Sequence, residues 1–494
     1  MTAPAAQITE ETLAQIAKAQ TTGFLESTGV YSYDLSDLVS LIPVVTPFRD
    51  LVARTTSQNG NPFANWRAFM NATNLQPDPS MGFDYAASEV VFIEQDFQAR
   101  FKPTGFAGVV TQDAFDLAVG YADPYAITTF QVLNQVLIGD DRKQMGAQSF
   151  ALAACAAPVL VDHASGGSIG AVTVHVGVAA RTGSGYYYGS GNNQGAAAST
   201  TFASGSANSV GATTAAVRGA MCYDWFQSAD GTTWYYYTTT TTNAVTMTEV
   251  ITANNALPDL PDLSSMWLGS AGTPTFKSTA DNGSANTNDY DGFVASLTGD
   301  YNGSGQWAQP GTGTANPSVW TSLDGAALTL SGGSITEIQD YLFLPLWNTV
   351  KCSPTAIMMN AAQAQEIADL ILGQPSAVTY LNTDSSGRVN VTGGGRVGSL
   401  INVAAGGVEV PIEVHVSLPP GTIIARTDRV PFPQAQISSV LEQRCLRDTA
   451  QFDYGVSRVA NQAGGGPRRE FEIRSVSAFI NRAPVAMGML QNVG

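Results

Sequence analysis

Alternating apolar and polar residues indicate strands along much of this chain, and apolar residues at helical spacing indicate helices. In Glu89–Lys102, apolar side chains alternate with charged and amide side chains. This period of two predicts a half-exposed strand. The turn-rich stretch Asn74–Gly82 precedes it, so the two together predict a long β-hairpin.

Capping residues predict where the helices begin and end. Asp123 can cap a helix and Pro124 follows at its first position, which predicts a long helix over Asp123–Gln144. Asn360 can cap a second helix, and Gly373 can end it. Apolar spacing predicts shorter helices over residues 8–19, 289–299 and 335–347.

The apolar stretch Val39–Val52 is interrupted by Pro43 and Pro47, so it is a poor helix and a poor central strand. It is predicted to be an extended arm whose apolar side chains contact another subunit. The candidate contact residues are Ile42, Val44, Val45 and Phe48.

Strand and turn signals dominate from Ser165 to Ala256, where β-branched and aromatic residues are frequent. This block is predicted to be an inserted antiparallel β-sandwich, with strands over 171–179, 215–226 and 233–242. Further strands are predicted over 354–359, 408–416, 422–425, 454–458 and 470–477.

Composition restricts the function. At about 150 residues per domain, the 494 residues predict roughly three domains. Only 13% of residues are charged, against about 25% in an ordinary soluble domain, which is expected of a chain that buries much surface against partners. No secretory signal or membrane span is expected, since the longest apolar run, Phe150–Val161, is broken by Pro158.

Charge is unevenly distributed along the chain. The net charge of −17 argues against a protein that binds nucleic acid over its whole surface. Residues 384–494 carry 11 Arg and 9 acidic residues, whereas the preceding residues carry 12 basic and 31 acidic residues. This division predicts complementary surfaces on neighbouring subunits, although solvated faces alone can produce it.

Motifs with catalytic potential lack the surroundings that their chemistry requires. Gly166–Gly170 matches G-x-S-x-G, but a strand rather than a helix is predicted after Ser168. Gly393–Gly398 matches G-x-G-x-x-G without a following helix, and is predicted to be a loop. The chain has three His and four Cys without metal-binding spacing, so the cysteines are predicted to be reduced core thiols. We expect neither an enzyme nor a bound cofactor or metal.

Aromatic clusters at Tyr186–Tyr188 and Tyr235–Tyr237, with Trp225 and Trp234 nearby in sequence, leave two interpretations open. They could stack on sugars, or they could pack across the strands of the sandwich. Cross-strand packing is the commoner role of such residues.

Three C-terminal segments carry a family resemblance when taken in order with the Asp-Pro-Tyr-Ala helix start at Asp123–Ala126. They are SPTAIMMNAAQAQEIADLIL (Ser353–Leu372), IEVHVSLPPGTIIARTDRV (Ile412–Val430) and EIRSVSAFINRAPVAMGMLQNV (Glu472–Val493). The chain resembles the major capsid protein of tailed bacteriophages, which has the Hong Kong 97 fold, in the version found in phages of actinobacteria. The resemblance covers about four fifths of the chain and excludes the Ser165–Ala256 block.

The resemblance implies an α+β chain of the Hong Kong 97 type, with an N-terminal arm (1–60), an extended-loop hairpin (61–112), a peripheral domain with a spine helix (113–164), an axial domain (257–440), the return of the peripheral domain (441–480) and a C-terminal axial strand (481–494). The predicted antiparallel β-sandwich (165–256), which we expect to be Ig-like, is an insertion that the minimal fold lacks. By similarity to other elaborated capsids, the sandwich is expected on the outer surface. We expect no cleaved scaffold segment before the arm.

The function that the resemblance implies is self-assembly into hexamers and pentamers of an icosahedral phage head. Implied partners are further copies of the chain, portal, scaffold or decoration proteins, and double-stranded DNA packaged without sequence-specific binding. The implied location is the virion, assembled in the cytoplasm of a bacterial host, with no membrane contact. The alternatives are an encapsulin-like compartment that holds a cargo enzyme, and a secreted β-rich glycan-binding or surface-layer protein.

We expect contacts between subunits to involve the hairpin and the arginine-rich last part of the chain. The candidate residues are Glu89, Glu94, Asp96, Arg100 and Lys102 on the hairpin, and Arg444, Arg447, Arg468 and Arg469 in the last part. Some members of the family also join subunits by a Lys–Asn isopeptide bond. Here that bond would use Lys102 with Asn481 or Asn492, but a solvated lysine at a strand edge is the favoured interpretation.

Overall fold

The computed structural model describes most of the chain from residue 45 onward, with gaps: residues 45–56, 60–72, 92–117, 123–183, 186, 192–194, 197–231, 234–252, 267–270, 273–276, 288–372, 382–383, 389–390, 397–430, 439–458 and 467–494. Its helices are α1 (Pro47–Leu51), α2 (Gln112–Leu117), α3 (Pro124–Gly146), α4 (Phe293–Thr298), α5 (Thr336–Ile338), α6 (Leu344–Val350) and α7 (Ala361–Leu372). A π-helical segment, Gln339–Phe343, joins α5 to α6, and a 3₁₀ turn spans Pro484–Ala486.

Strands make up most of the remaining regular structure. The first half contains β1 (Ala53–Thr56), β2 (Phe63–Ala72), β3 (Phe92–Arg100), β4 (Lys102–Thr111), β5 (Val159–His163), β6 (Thr173–Arg181), β7 (Asn192–Gln194), β8 (Ala198–Thr201), β9 (Ser209–Thr213), β10 (Cys222–Ser228), β11 (Tyr235–Thr240) and β12 (Ala244–Met247). The second half contains β13 (Trp267–Ser270), β14 (Thr273–Phe276), β15 (Asp300–Tyr301), β16 (Trp307–Ala308), β17 (Val319–Ser322), β18 (Leu330–Ser331), β19 (Ser334–Ile335), β20 (Ala356–Met359), β21 (Asn382–Thr383), β22 (Val389–Asn390), β23 (Ser399–Asn402), β24 (Val408–Val414), β25 (Ile423–Arg426), β26 (Leu441–Arg458), β27 (Pro467–Asn481) and β28 (Gly488–Gln491). The α+β class is therefore as predicted.

A six-stranded mixed sheet forms one centre of the fold, in the order β17-β28-β25-β20-β24-β23. Its central strand β20 is buried at all four positions, because both faces of the sheet are covered. Ile357 and Met359 pack in one apolar cluster with the helices α5 to α7. Met358, on the opposite face, packs in a second cluster with Phe48 and Phe293.

A four-stranded sheet in the order β1-β26-β27-β4 forms the second centre, and the long helix α3 packs on it. Val136 of α3 packs against Phe471 and Ile473 of β27. Gly108 of β4 lies under the Phe471 ring, where a Cβ atom would overlap the ring. The Phe471 ring can therefore lie across β4 because position 108 has no side chain.

Two antiparallel sheets between residues 159 and 247 share a third core. One has the order β11-β10-β6-β7, with β8 also paired to β6, and the other has the order β12-β9-β5. Val176 and Trp225 from the first sheet pack with Val210 and Met247 from the second. Strand β5 begins at Val159, which is N-terminal to the boundary predicted for the inserted sandwich.

Capping residues predicted the starts of the two longest described helices correctly. The predicted helices over 123–144 and 360–373 are confirmed as α3 and α7. The Asp123 carboxylate accepts hydrogen bonds from the backbone N–H groups of Tyr125 and Ala126, at 3.0 and 3.3 Å. The predicted strands over 454–458 and 470–477 are parts of the much longer β26 and β27. The predicted helix over 8–19 lies outside the described residues.

Candidate assembly surfaces

The hairpin formed by β2 and β3 is attached to the subunit at its root by aromatic packing. The strands pair antiparallel from Phe63–Arg100 at the root to Ala72–Phe92, with one irregularity. Trp66 stacks on Phe97 with ring centroids 5.4 Å apart, and the Tyr301 ring meets Phe97 edge-on at 5.0 Å. In the described part of the chain, β2 and β3 form a two-stranded sheet with no third strand.

Beyond the root, the hairpin carries an exposed cluster of charges. Arg67 on β2 forms ion pairs with Asp96, at 2.6 Å, and with Glu94, at 3.2 Å, on β3. The hydrogen bond from Arg67 lowers the pKa of the Asp96 carboxyl. The predicted contact residues Glu94 and Asp96 therefore have a partner on their own hairpin. Glu89 lies outside the described residues.

Arg67 was not among the predicted contact residues, because its pairing depends on the register of the hairpin. Arg67 lies directly opposite Asp96 in the register of the hairpin. Opposite charges on facing positions of an antiparallel pair attract each other. The turn-rich stretch predicted the hairpin but not its register, so the pairing could not be read from the sequence.

Arg100 and Lys102 lie where the hairpin joins the four-stranded sheet. Arg100 is exposed and opposite Phe63, and Lys102 opens β4 opposite Ser477. Burial lowers the pKa of the Lys102 ammonium, and the neighbouring cations Arg100 and Lys143 lower it further. Lys102 is therefore a partly buried residue of the hairpin root rather than a freely solvated one.

The two asparagines considered for a cross-link are buried within their own subunit. Asn481 and Asn492 are each 1% exposed. The Asn481 amide donates to Ser296 Oγ, and the Asn492 amide donates to Ser322 Oγ, both at 2.9 Å. These positions disfavour either asparagine as a partner for the lysine of a neighbouring subunit.

The predicted contact arginines of the last part have neighbours in their own chain. Arg444 binds Glu442 at 3.0 Å, Arg468 binds Glu470 at 2.7 Å, and the Arg447 guanidinium lies 5.3 Å from the centre of the Phe452 ring. The pKa of the Asp453 carboxyl is lowered by the Gly455 backbone N–H and the Tyr125 hydroxyl, with a smaller contribution from Arg469. Glu94 and Asp96 on the hairpin and Arg444 and Arg468 in the last part of the chain therefore each form ion pairs with local partners.

The described part of the arm, from residue 45, differs from the predicted extended conformation. Residues Pro47–Leu51 form the short helix α1, and Phe48 is fully buried in its own chain. The Phe48 ring stacks on Phe293 at 5.3 Å and lies 6.0 Å from the Phe479 ring. Phe48 is therefore a core residue rather than a contact for another subunit. Val45 is 48% exposed, and Ile42 and Val44 lie outside the described residues.

A buried pair of carboxylates on α3 holds the helix α1 in place, although neither carboxylate was among the predicted contact residues. The Asp141 carboxylate accepts the backbone N–H groups of Phe48 and Arg49, each at 2.9 Å, and the Ser417 hydroxyl. The Asp140 carboxylate accepts Arg49 Nε at 3.2 Å and the Gln443 amide at 3.0 Å. Burial raises the pKa of both carboxyls, and these hydrogen bonds oppose the shift.

A third acidic group lies beside the root of the hairpin. The Asp291 carboxylate accepts the Ser149 backbone N–H at 2.7 Å, while Lys143 binds Asp289 at 3.2 Å. Burial raises the pKa of Asp291 to about 6, against the opposing hydrogen bonds from Ser149. In the unfolded chain, the pKa of this carboxyl would be near its ordinary value of 3.8.

The raised pKa of Asp291 predicts a pH dependence of stability. Between about pH 4 and pH 6, Asp291 binds more protons in the folded subunit than in the unfolded chain. The contribution of Asp291 to stability therefore falls as pH rises. Asp291→Asn should flatten this slope and raise the free energy of unfolding at pH 7 by about 1 to 3 kcal/mol. Denaturant titrations of the unassembled subunit at several pH values measure the free energy of unfolding and its slope with pH. An unchanged slope would contradict the prediction, and Asp369→Asn at an exposed position is the control.

The G-x-S-x-G candidate, Gly166–Gly170, is followed by strand β6 rather than by a helix, as predicted. Most of the second candidate, Gly393–Gly398, lies outside the described residues. Ser168 lies after Gly166, whose φ is +93°, and its backbone N–H donates to the Thr248 carbonyl at 2.6 Å. All four cysteines are free and buried, as predicted.

Tyr236 is buried against Phe226, which favours packing over sugar binding for this aromatic. The described residues contain no group of three His, Cys, Asp or Glu side chains placed to hold a metal ion. They also contain no helix long and apolar enough to cross a membrane.

Comparisons with known proteins match at the level of structure only. No protein-family model and no curated protein matches the chain. Similar solved structures include the capsid of a native GTA particle (8% identity, covering 97% of this chain and 99% of that chain, TM-score 0.41). They also include the major capsid and decoration proteins of phage G (6%, 96% and 97%, 0.35) and the holo-SrpI encapsulin complex of Synechococcus elongatus (8%, 97% and 95%, 0.39).

Proposed function

We propose that this chain is the major capsid protein of a tailed phage, which assembles into hexamers and pentamers of an icosahedral head around double-stranded DNA. The observation that carries the proposal is the hairpin of β2 and β3. Its ten-residue strand β2 extends for about 33 Å at about 3.3 Å per residue, and among its described side chains those near the root pack on the subunit. An isolated two-stranded hairpin is marginally stable in water. A neighbouring subunit in a closed shell would supply the missing surface.

Exposed apolar side chains on the six-stranded sheet support the same function. Ile401 lies in the edge strand β23 and Val403 follows its end, and they are 59% and 64% exposed. An edge strand with apolar side chains is a hazard for a solitary protein and a contact surface for an assembling one. We assign this sheet to the axial domain (257–440), where copies meet around the centre of each hexamer or pentamer.

The remaining parts of the chain take their proposed roles from the same arrangement. The sheet containing β26 and β27, with α3, would form the peripheral domain, and the two sheets between residues 159 and 247 would lie on the outer surface as the inserted domain. Portal, scaffold or decoration proteins would be further partners, with the virion as the location. The chain's net charge of −17 would let packaged DNA move past the shell without tight binding.

Sedimentation of the purified chain tests the proposal. A capsid protein should give one fast-sedimenting species of defined mass besides free subunits, and the particles made during infection should protect DNA from nuclease. Particles that hold a protein cargo instead of DNA would favour the encapsulin-like compartment. Subunits that remain monomeric at every concentration would contradict both functions.

Charge reversal tests whether the acidic residues of the hairpin meet arginines of a neighbouring subunit. Glu94→Arg with Asp96→Arg should reduce the fraction of chain in shells about tenfold or more, because about 1.4 kcal/mol of lost contact energy is a factor of ten. Electron microscopy and sedimentation measure that fraction. Normal shells from the double variant would contradict the pairing.

A triple variant separates the two partners of these carboxylates. Adding Arg67→Glu to the double variant restores opposite charges within the hairpin but leaves its outer charges reversed toward any neighbour. Assembly should remain impaired if the charges meet another subunit. Recovery of assembly would show that only the pairs within the hairpin matter.

A further inference from the structure

A short turn of the subunit contacts the outer edge of the hairpin near its root. Strands β15 and β16 form a small hairpin whose turn is Asn302–Gln306. The Gln98 backbone N–H of β3 donates to the Gly305 carbonyl at 3.0 Å. This bond lies beside the aromatic stack, because Tyr301 and Trp307 at the two ends of the turn both pack on Phe97.

The turn is held rigidly by one side chain. The Asn302 Oδ1 atom accepts the backbone N–H groups of Ser304 and Gln306, both at 2.9 Å. The Gly305 N–H donates to the Asn302 carbonyl at 3.0 Å. These bonds close the turn on itself without using the hairpin, so the turn presents a fixed surface to β3.

Glycine at position 305 is required by two independent features. Its φ of +75° lies in the left-handed region that side chains rarely adopt. A Cβ atom there would overlap the Asp96 carbonyl oxygen and come within 2.8 Å of the Asp96 carbonyl carbon and 3.1 Å of Phe97 Cα. Gly303 is in the same turn, but a Cβ there would have no atom within 4 Å.

We propose that the Asn302–Gln306 turn is a clamp that sets the angle at which the hairpin leaves the subunit, and that this angle selects the size of the shell. The inference rests on the proposed capsid function. The aromatic stack, together with Ala64 and Phe101 packed on Ala478 and Ile480, fixes the position of the root. The hydrogen bond from Gln98 to Gly305 adds a backbone attachment on the edge of β3 that β2 does not cover, and so restricts rotation of the hairpin.

The length of the hairpin makes a small rotation important. Ala72 lies about 23 Å from Asn65 along β2, so turning the hairpin by about 10° moves this part by about 4 Å. Side chains are in contact only within about 4 to 4.5 Å. A rotation of this size would therefore break the contacts of the hairpin with one neighbouring position and favour a different curvature.

The test compares Gly305→Ala with the matched control Gly303→Ala. We expect the Gly305 variant to fold with a thermal midpoint near that of the wild type but to lose shells of wild-type diameter, giving open sheets or particles of altered diameter. In the unassembled subunit, amide exchange in the peptide containing Gln98 should become about tenfold faster, as expected for a locally opened strand. The Gly303 variant should form normal shells.

Asn302→Ala keeps the inference testable if the Gly305 variant does not fold, because it loosens the turn without introducing an overlap. It should broaden the distribution of shell diameters. Shells of wild-type diameter and yield from both variants would overturn the clamp. Failure of the wild type and the Gly303 variant to form shells would instead contradict the proposed function.

Discussion

Replacing Phe48 by alanine should lower the free energy of unfolding of the subunit by about 3 to 5 kcal/mol, the cost of removing a buried aromatic ring. The ring is fully buried and packs against Phe293 and Phe479, which come from distant parts of the chain. Phe48, α4 and β27 meet at this ring. The surrounding side chains can therefore only partly fill the cavity that the loss of the ring leaves. Chemical denaturation of the unassembled subunit measures the change.

Val45→Ala is the matched control, because Val45 is in the same stretch but 48% exposed. It should change the free energy of unfolding by less than about 0.5 kcal/mol. A loss below about 1 kcal/mol in the Phe48 variant would show that the arm does not dock on its own subunit. In that case the arm would again be a candidate for exchange between subunits, as the sequence pattern suggested.

Shortening the hairpin should abolish shell formation while leaving the subunit folded. Arg67 and Asp96 lie opposite each other, so residues 68–95 can be replaced by an Asn-Gly turn that closes the two strands. The Trp66–Phe97 stack and its contacts with Tyr301 remain in the shortened chain. The thermal midpoint should therefore stay near the wild-type value, whereas sedimentation should show only small species.

The matched control keeps the hairpin at full length and changes only its exposed charge, with Arg67→Gln. This variant should still assemble, because exposed ion pairs each contribute about 1 kcal/mol or less. Shells of normal diameter from the shortened chain would remove the hairpin from the account of assembly. The six-stranded sheet would then remain as the candidate contact surface.

The sequence predicted those features that depend on neighbours along the chain. Asp123 and Asn360 were found because a cap and its helix are adjacent in sequence. Phe48 and Val45 are three residues apart and both apolar, yet one is in the core and the other is exposed. Their difference arises from Phe293 and Phe479, and no local pattern indicates which distant side chains will cover a residue.

The missed residues of the assembly surfaces follow the same rule. Asp140 and Asp141 resemble surface charges on a helix, and their burial depends on Arg49, Gln443 and Ser417. Gly305 is one of 49 glycines, and its left-handed backbone and its approach to Asp96 distinguish it from Gly303. The resemblance gave the order of the parts, whereas these tertiary contacts required the structure.

Cryo-electron microscopy of the purified, assembled chain tests the capsid assignment most directly. We predict closed icosahedral shells of uniform diameter, in which the hairpin of β2 and β3 lies on a neighbouring subunit and Phe48 remains in the core of its own subunit. Monomers, open filaments, or shells in which each hairpin folds back on its own subunit would contradict the account.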